Sequence, residues 1–273
     1  MPLSHHWEGV IEPLIRAARP RAVVEVGVSQ GATTTSLLEL AEECDFVVHG
    51  IDPAPGEPLD VETLTREHEG RFVFHRAMSL DALPGIREPD VVLLDGDHNW
   101  YTVYHELKTL ERVAAEERRD FPLTLLHDID WPYGRRDMYF FPESVPAEHR
   151  QEFERAGLIP FNRRLARDGG FGAQTAHAIR EGTPRNGVRT ALEDFTAEAG
   201  FPIHRQDVPG FHGVAVILPV STLEASPAVR HVLEQMQTGE WMAEHCRLVE
   251  LARVRLMISL TEARRSESRA TED

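Results

Sequence analysis

The stretch Arg21 to Asp52, RAVVEVGVSQGATTTSLLELAEECDFVVHGID, constrains the fold more than any other part of the chain. Ala22-Val23-Val24-Glu25-Val26 is short, mostly β-branched and bounded by turn residues, the pattern of an interior parallel strand. Gly27-Val28-Ser29-Gln30-Gly31 then turns the chain into a helix. Its first residues, Thr33 to Ser36, are polar, and Leu37, Leu38 and Leu40 supply its buried side. Phe46-Val47-Val48-His49-Gly50-Ile51 reads as the next strand, with Asp52 at its carboxyl end. In an open α/β sheet, ligands bind at the carboxyl ends of the strands, near the point where strand order reverses. Glycines let backbone approach such a ligand, and an acid about 20 residues further on can bind both ribose hydroxyls. Gly31 to Asp52 is 21 residues, so a nucleoside cofactor is expected here.

A dinucleotide fingerprint would read G-x-G-x-x-G, with pyrophosphate on the helix N-terminus. Here the pattern is E-x-G-x-x-x-G, made by Glu25, Gly27 and Gly31, with Ser29 in place of the middle glycine. It resembles the first motif of class I S-adenosylmethionine-dependent methyltransferases. The resemblance implies that Glu25 lies near the cofactor's amino-acid end, that Gly27, Ser29 and Gly31 pass beneath the cofactor, and that Asp52 binds ribose. It also places Met78 and Ser79, which follow the third predicted strand Arg71 to His75, beside the adenine. Met78 reads equally well as core filler.

The second strong signal follows the fourth predicted strand, Pro89 to Leu94. Asp95-Gly96-Asp97-His98-Asn99-Trp100-Tyr101 stands at its carboxyl end. Two carboxylates and an imidazole this close together, beside a presumed cofactor, suit metal binding or proton transfer. A plainer reading makes Asp97 or Asn99 the N-cap of the amphipathic helix that runs from Val103 to Ala115. A fifth strand, Phe121 to Leu126, ends in His127-Asp128-Ile129-Asp130. D-G-D-H after strand four with H-D after strand five is similar to the small metal-dependent O-methyltransferases of the macrocin and aminocoumarin sugar type. That likeness implies Asp95, beside the cofactor, and Asp128 as metal ligands, with Asp97 or His98 as the base. His127 departs from it, standing where that group carries a carboxylate. Two acids and an imidazole suit a first-row metal less specifically than three acids suit Mg²⁺. Asp130 is a substitute ligand or a substrate contact.

From Trp131 to Asn186 the chain is rich in aromatics, proline and arginine without a clear period. A connection this long is usually functional or disordered, and its aromatic content argues against disorder. It is expected to be a helical lid, with short helices around Ala147 to Ala156. Trp100 and Tyr101 are expected to wall the acceptor, and Tyr133, Arg135 and Arg136 to contact it. Those arginines would favour an anionic or polyol acceptor, unless they pair with the chain's own acids. Val188, Ala191, Leu192 and Phe195 mark a later helix. Ile203 to Val208 and Val214 to Leu218 are two strands joined closely enough to be antiparallel.

Composition limits the partners. The net charge of −16 repels a phosphate backbone, so nucleic acid is not expected as a partner. Two cysteines, Cys44 and Cys246, make neither a disulfide framework nor a thiolate metal site. No apolar run reaches about 18 residues, and the N-terminus lacks a signal-peptide pattern, so a cytoplasmic protein without a membrane segment is expected. Residues 7 to 18 carry helical spacing, and His5-His6 ahead of them is expected to be solvated. Beyond Ser221 the chain reads as helical, with Trp241 to Leu260 apolar enough to pack on its own domain or on a second subunit. Arg264 to Asp273 reads as a charged, disordered tail.

The expected architecture is a Rossmann-like α/β domain over residues 1–220. It has a seven-stranded, mostly parallel sheet with one antiparallel strand, the lid at 131–186, and a C-terminal helical extension at 221–273. The expected function is methyl transfer from S-adenosylmethionine to an oxygen of a small polar acceptor, with a sugar or glycosylated metabolite as leading candidate and a divalent metal such as Mg²⁺ assisting. Three alternatives stay open. They are N-methylation or intramolecular alkylation with the same cofactor, a nicotinamide-dependent oxidoreductase, and a non-catalytic binding protein.

Overall fold

A computed structural model describes residues 3–249 together with 252, 253 and 256. The chain divides into two compact units, Met1–Arg230 and His231–Asp273. The first begins with a tight turn at Leu3–His6, a single wide turn at Trp7–Ile11, and helix α1 (Glu12–Ala18). Pro20 and the left-handed Arg19 end that helix. His6 is not solvated as its terminal position suggested. It is 1% exposed and lies edge-on to the rings of His127 and Phe211, whereas His5 stays at the surface.

Strand β1 (Ala22–Val26) leads into α2 (Ala32–Cys44), β2 (Val47–Ile51), α3 (Val61–Glu67) and β3 (Phe72–His75). Next come the short α4 (Ser79–Ala82), β4 (Val91–Leu94), α5 (Trp100–Glu117) and β5 (Leu123–His127). The long connection after β5 holds β6 (Met138–Tyr139), β7 (Phe153–Arg155), β8 (Gly157–Ile159), β9 (Asn162–Ala166) and β10 (Ala176–Ala178). The unit closes with α6 (Val188–Glu198), β11 (Ile203–Val208), β12 (Val214–Pro219) and α7 (Val220–Ala225), after which α8 spans Pro227–Gln235.

Seven strands form one sheet in the order β11-β12-β5-β4-β1-β2-β3. Strand β12 runs antiparallel to both neighbours, and the other six are parallel to one another. This is a Rossmann-like α/β fold with one antiparallel strand, as the strand pattern implied. The order reverses between β1 and β4, so the carboxyl ends of these strands open a crevice. The central strands are apolar because both faces are covered: every residue of β4, β5 and β12 is buried. On one face, Val103, Leu107 and Leu110 of α5 join Val188, Leu192 and Phe195 of α6 over Val24, Val92 and Leu126. Burying each such side chain contributes about 1.5–3 kcal/mol before the entropy of ordering is set against it.

The insertion after β5 is not a helical lid. It is a three-stranded antiparallel sheet, β6-β10-β7, plus the separate β8–β9 hairpin, and the region expected to be helical near Ala147 to Ala156 contains β7. Runs of two or three residues are too short to show a strand period in the sequence. Asp137, fully buried, fastens this insertion to the main sheet. It accepts from the backbone N–H groups of Trp100 (2.7 Å) and Gly187 (2.6 Å) and from the Tyr139 hydroxyl (2.8 Å). The second unit is helical over residues 239–249, and the Trp241 and His245 rings stack there at 4.8 Å. Most of the rest of the expected 241–260 helix, and the tail beyond it, lie outside the described residues. No described helix is long and apolar enough to cross a membrane.

Candidate active site

Elements at the carboxyl edge of the sheet enclose a cavity of about 630 Å³ that runs from β2 and β1 across to β4 and β5. At the β1–β2 end, Gly27, Ser29 and Asp52 line it, with Met78 and Ser79 alongside. Gly27 has φ +90°, and a Cβ there would sit 2.2 Å from the carbonyl oxygen of Asp95. Only glycine lets β1 turn this closely past the end of β4. Asp52 is held by two loop amides, Ser29 N–H to Oδ2 and Ala54 N–H to Oδ1, both 2.8 Å, which fixes its carboxylate at the cavity wall.

Two residues expected to touch the cofactor do not line the cavity. Gly31 is the left-handed N-cap of α2 and packs against Leu59. Glu25 points into the protein and accepts from the Thr34 hydroxyl at 2.6 Å. Burial raises its pKa to about 8, so it is largely protonated at neutral pH. Both residues shape the turn from behind.

At the β4–β5 end, Asp95, Asp97, His98 and Asp128 line the cavity. Asp97 accepts from the His98 N–H (3.1 Å), the Asn99 side-chain amide (2.5 Å) and the Thr102 hydroxyl (3.2 Å), and burial raises its pKa. Asn99 itself caps α5, its Oδ1 accepting from the Thr102 N–H at 2.8 Å. Asp97 therefore organises the loop, and the imidazole of His98 faces the cavity with Nε2 3.5 Å from Asp128 Oδ2.

His127 is fully buried behind this edge. Its Nε2 lies 2.8 Å from the Phe211 carbonyl, which can only accept, so Nε2 carries a proton. Its Nδ1 then faces Asp95 Oδ1 at 2.8 Å and Asp128 Oδ2 at 3.1 Å. The position before Nδ1 belongs to a cation. Burial disfavours charge on the ring, but Asp95 and Asp128 outweigh it and hold His127 well above its ordinary pKa. Asp128 is pushed up by burial and pulled further down by the His98 and His127 imidazoles, ending well below the usual range. Asp95, His127 and Asp128 each offer a ligand atom, all within 4.8 Å of one another. An imidazole anchored through its far nitrogen to a backbone carbonyl is the usual support for a metal-ligating histidine, so the set fits a divalent ion.

Of the residues expected to meet the acceptor, Tyr133 lines the cavity, stacked on His98 with ring centroids 5.0 Å apart. The others lie elsewhere. Trp100 donates from its indole to Asp194 at 2.7 Å and stacks on Tyr104. Tyr101 packs on His105 and His149. Arg135 makes a bidentate pair with Glu193, both bonds 2.6 Å. Arg136 is 1% exposed and ties backbone carbonyls of Ala178, Ile179 and Arg163 to Glu181. Asp130 pairs with Arg189 at 2.6 Å.

Sequence reasoning missed His212, Met138, Phe140, Phe141 and Phe171, all in the cavity wall. His212 comes from the β11–β12 loop, where Gly210, Phe211, His212 and Gly213 all have positive φ, and its Nδ1 lies 3.0 Å from Asp128 Oδ1. Because β11 runs parallel to the main strands, its exit loop has to lie on their carboxyl edge. That topological fact was a usable signal for this histidine.

Residues 24–118 match a family model described as a methyltransferase domain. No curated protein matches the chain. Among solved structures, the chain is similar to the S-adenosylhomocysteine-bound methyltransferase PaMTH1 of Podospora anserina. The two share 15% identity over 80% of this chain and 88% of that one, with a TM-score of 0.45. It is also similar to the cofactor-bound Rv0187 from MTB, at 16% identity over 76% of this chain and 78% of the other, with a TM-score of 0.44. The matched segment runs from within β1 to the end of α5 and so contains the glycine turn, Asp52 and the Asp95–His98 loop. Residues 24–118 are thus similar to a methyltransferase domain, and the sheet that carries them is Rossmann-like.

Proposed function

We propose that the protein transfers the methyl group of S-adenosylmethionine to a hydroxyl oxygen of a small molecule. The observation that carries this reading is the pairing, in one cavity, of an end lined by Gly27, Ser29 and Asp52 with the His98–Asp128 pair at the other end. A sulfonium methyl is already activated, so the protein has to align it with the acceptor oxygen and remove one proton. In this reading Asp52 binds the ribose hydroxyls, and the backbone at Gly27 and Ser29 passes beneath the cofactor. Met78 and Ser79 border the adenine.

His98 is the base. Its ring is fixed by stacking on Tyr133, and a proton arriving on it is held against the Asp128 carboxylate. Asp97 is a positioning residue, since its acceptor positions are taken by loop amides and a hydroxyl. A divalent ion at Asp95, His127 and Asp128 would lower the acceptor's pKa. The nitrogen donor favours a first-row ion over Mg²⁺.

The test is transfer of label from methyl-labelled S-adenosylmethionine to hydroxylated acceptors. The reading expects an ether product, and His98→Ala should lower turnover about 10²–10⁴-fold while S-adenosylhomocysteine still binds. Full turnover by that variant would refute the assignment of the base.

A further inference from the structure

The far end of the cavity specifies the acceptor's chemistry, and this inference rests on the methyl-transfer reading above. We infer that the acceptor is an uncharged aromatic hydroxyl compound, a phenol or fused-ring phenol, rather than a sugar, an anion or an amine.

Three observations combine. First, the wall is a continuous run of rings. Phe140 lies 5.7 Å from His98, His98 stacks on Tyr133 at 5.0 Å, and Tyr133 is 6.3 Å from Phe171. Phe171 in turn meets His212 edge-on at 5.5 Å and Trp131 at 5.7 Å. Phe140 is 54% exposed and Phe171 40%, so two large apolar side chains of the cavity lining stay in water, with Trp131, 38% exposed, against Phe171. Such a cluster marks a binding surface, and aromatic faces prefer another ring set edge-on or offset against them.

Second, the described residues lining the cavity include no lysine or arginine. The two arginines nearest in sequence, Arg135 and Arg136, are committed to Glu193 and to buried carbonyls. An anionic acceptor would lose its hydration with no lysine or arginine of the lining to replace it.

Third, the carboxylates at this end are already engaged. Asp97 holds three donors, Asp95 accepts from Leu3 N–H at 3.2 Å and faces His127, and Asp128 is ringed by imidazoles. An ammonium group would have to compete with His98, His127 and His212 for these carboxylates. A sugar would bring several hydroxyls to a wall that is mostly hydrocarbon, each needing a partner. A phenol brings one acidic hydroxyl to His98 and an apolar face to the rings.

The experiment compares methylation of one- to three-ring phenols, methyl pyranosides and primary arylalkylamines by the full chain, with Phe140→Ala and Phe171→Ala variants. Both phenylalanines are surface-exposed, so the variants should fold. Expected are a kcat/KM at least tenfold higher for phenols than for the other two classes and at least a tenfold drop for phenols in each variant. Binding of S-adenosylhomocysteine should stay within twofold of wild type. Preference for pyranosides or amines, or variants that keep phenol turnover, overturns the acceptor class alone. So does a protein that binds S-adenosylhomocysteine and methylates no phenol. Absence of S-adenosylhomocysteine binding instead overturns the methyl-transfer reading, and this inference with it.

Discussion

Nδ1 of His127 lies 2.8 Å from Asp95 Oδ1, while the ring's other nitrogen is committed to the Phe211 carbonyl. That commitment leaves Nδ1 between two carboxylates, where only a cation satisfies all three groups. A proton makes an imidazolium there, and a divalent ion makes a three-ligand centre with Asp95 and Asp128. Thermal unfolding with and without Mn²⁺, Co²⁺ or Zn²⁺ should separate the two. An ion at a hundredfold excess over its Kd adds about 2.7 kcal/mol of stability. The gain should vanish in Asp128→Asn. An unchanged melting temperature with all three ions would contradict the metal assignment.

Removing the cation altogether tests the same arrangement from the other side. His127→Leu would leave Asp95 and Asp128 facing one another without the cation between them, with only His98 and His212 beside Asp128. Breaking a buried charge cluster in this way costs about 3–5 kcal/mol. Urea unfolding near neutral pH is the measurement, and a loss under about 1 kcal/mol would show that His127 is not the bridging cation.

Gly27→Ala is expected to destroy the cofactor end. The added methyl would meet the Asp95 backbone at 2.2 Å in a φ of +90°, and the strain alone costs about 1–3 kcal/mol. Loss of S-adenosylhomocysteine binding by calorimetry, with the far-ultraviolet circular dichroism retained, is the expected result.

Glu106 on α5 gives a pH prediction away from the cation cluster. It is 1% exposed, its Oε1 has no protein partner, and burial lifts its pKa from the ordinary 4.5 to about 8. The native state therefore binds a proton that the unfolded chain releases between those two values, and this group's contribution declines as pH rises from 4.5 to 8. The slope from one such group is at most about 1.4 kcal/mol per pH unit. Glu106→Gln stays neutral and should flatten the decline, so that the variant gains on wild type between pH 6 and pH 8. Parallel stability curves for the two proteins would rule out the raised pKa.

The sheet was legible because its strands are apolar runs, such as Val91-Val92-Leu93-Leu94, that suit only a position covered on both faces. The cofactor end was legible because Gly27 and Asp52 sit at fixed offsets along a βαβ unit. The acceptor end was much less so. Apart from His98 and His212, its ring wall comes from single residues of an insertion whose strands are two to five residues long, so no period announces them. Arg135 and Arg136 drew attention as charges in an aromatic stretch, yet chain composition could not reveal that Glu193 and the β10 carbonyls already hold them. His6 looked like a terminal residue at the surface because its burial depends on Phe211, more than 200 positions away.

The most direct test of the central claim is a calorimetric titration of the protein with S-adenosylhomocysteine, using NADH as the control. Micromolar binding of S-adenosylhomocysteine, no heat with NADH, and at least tenfold weaker binding by Asp52→Ala are predicted. Binding of NADH alone would contradict the account and leave the fold without its proposed chemistry.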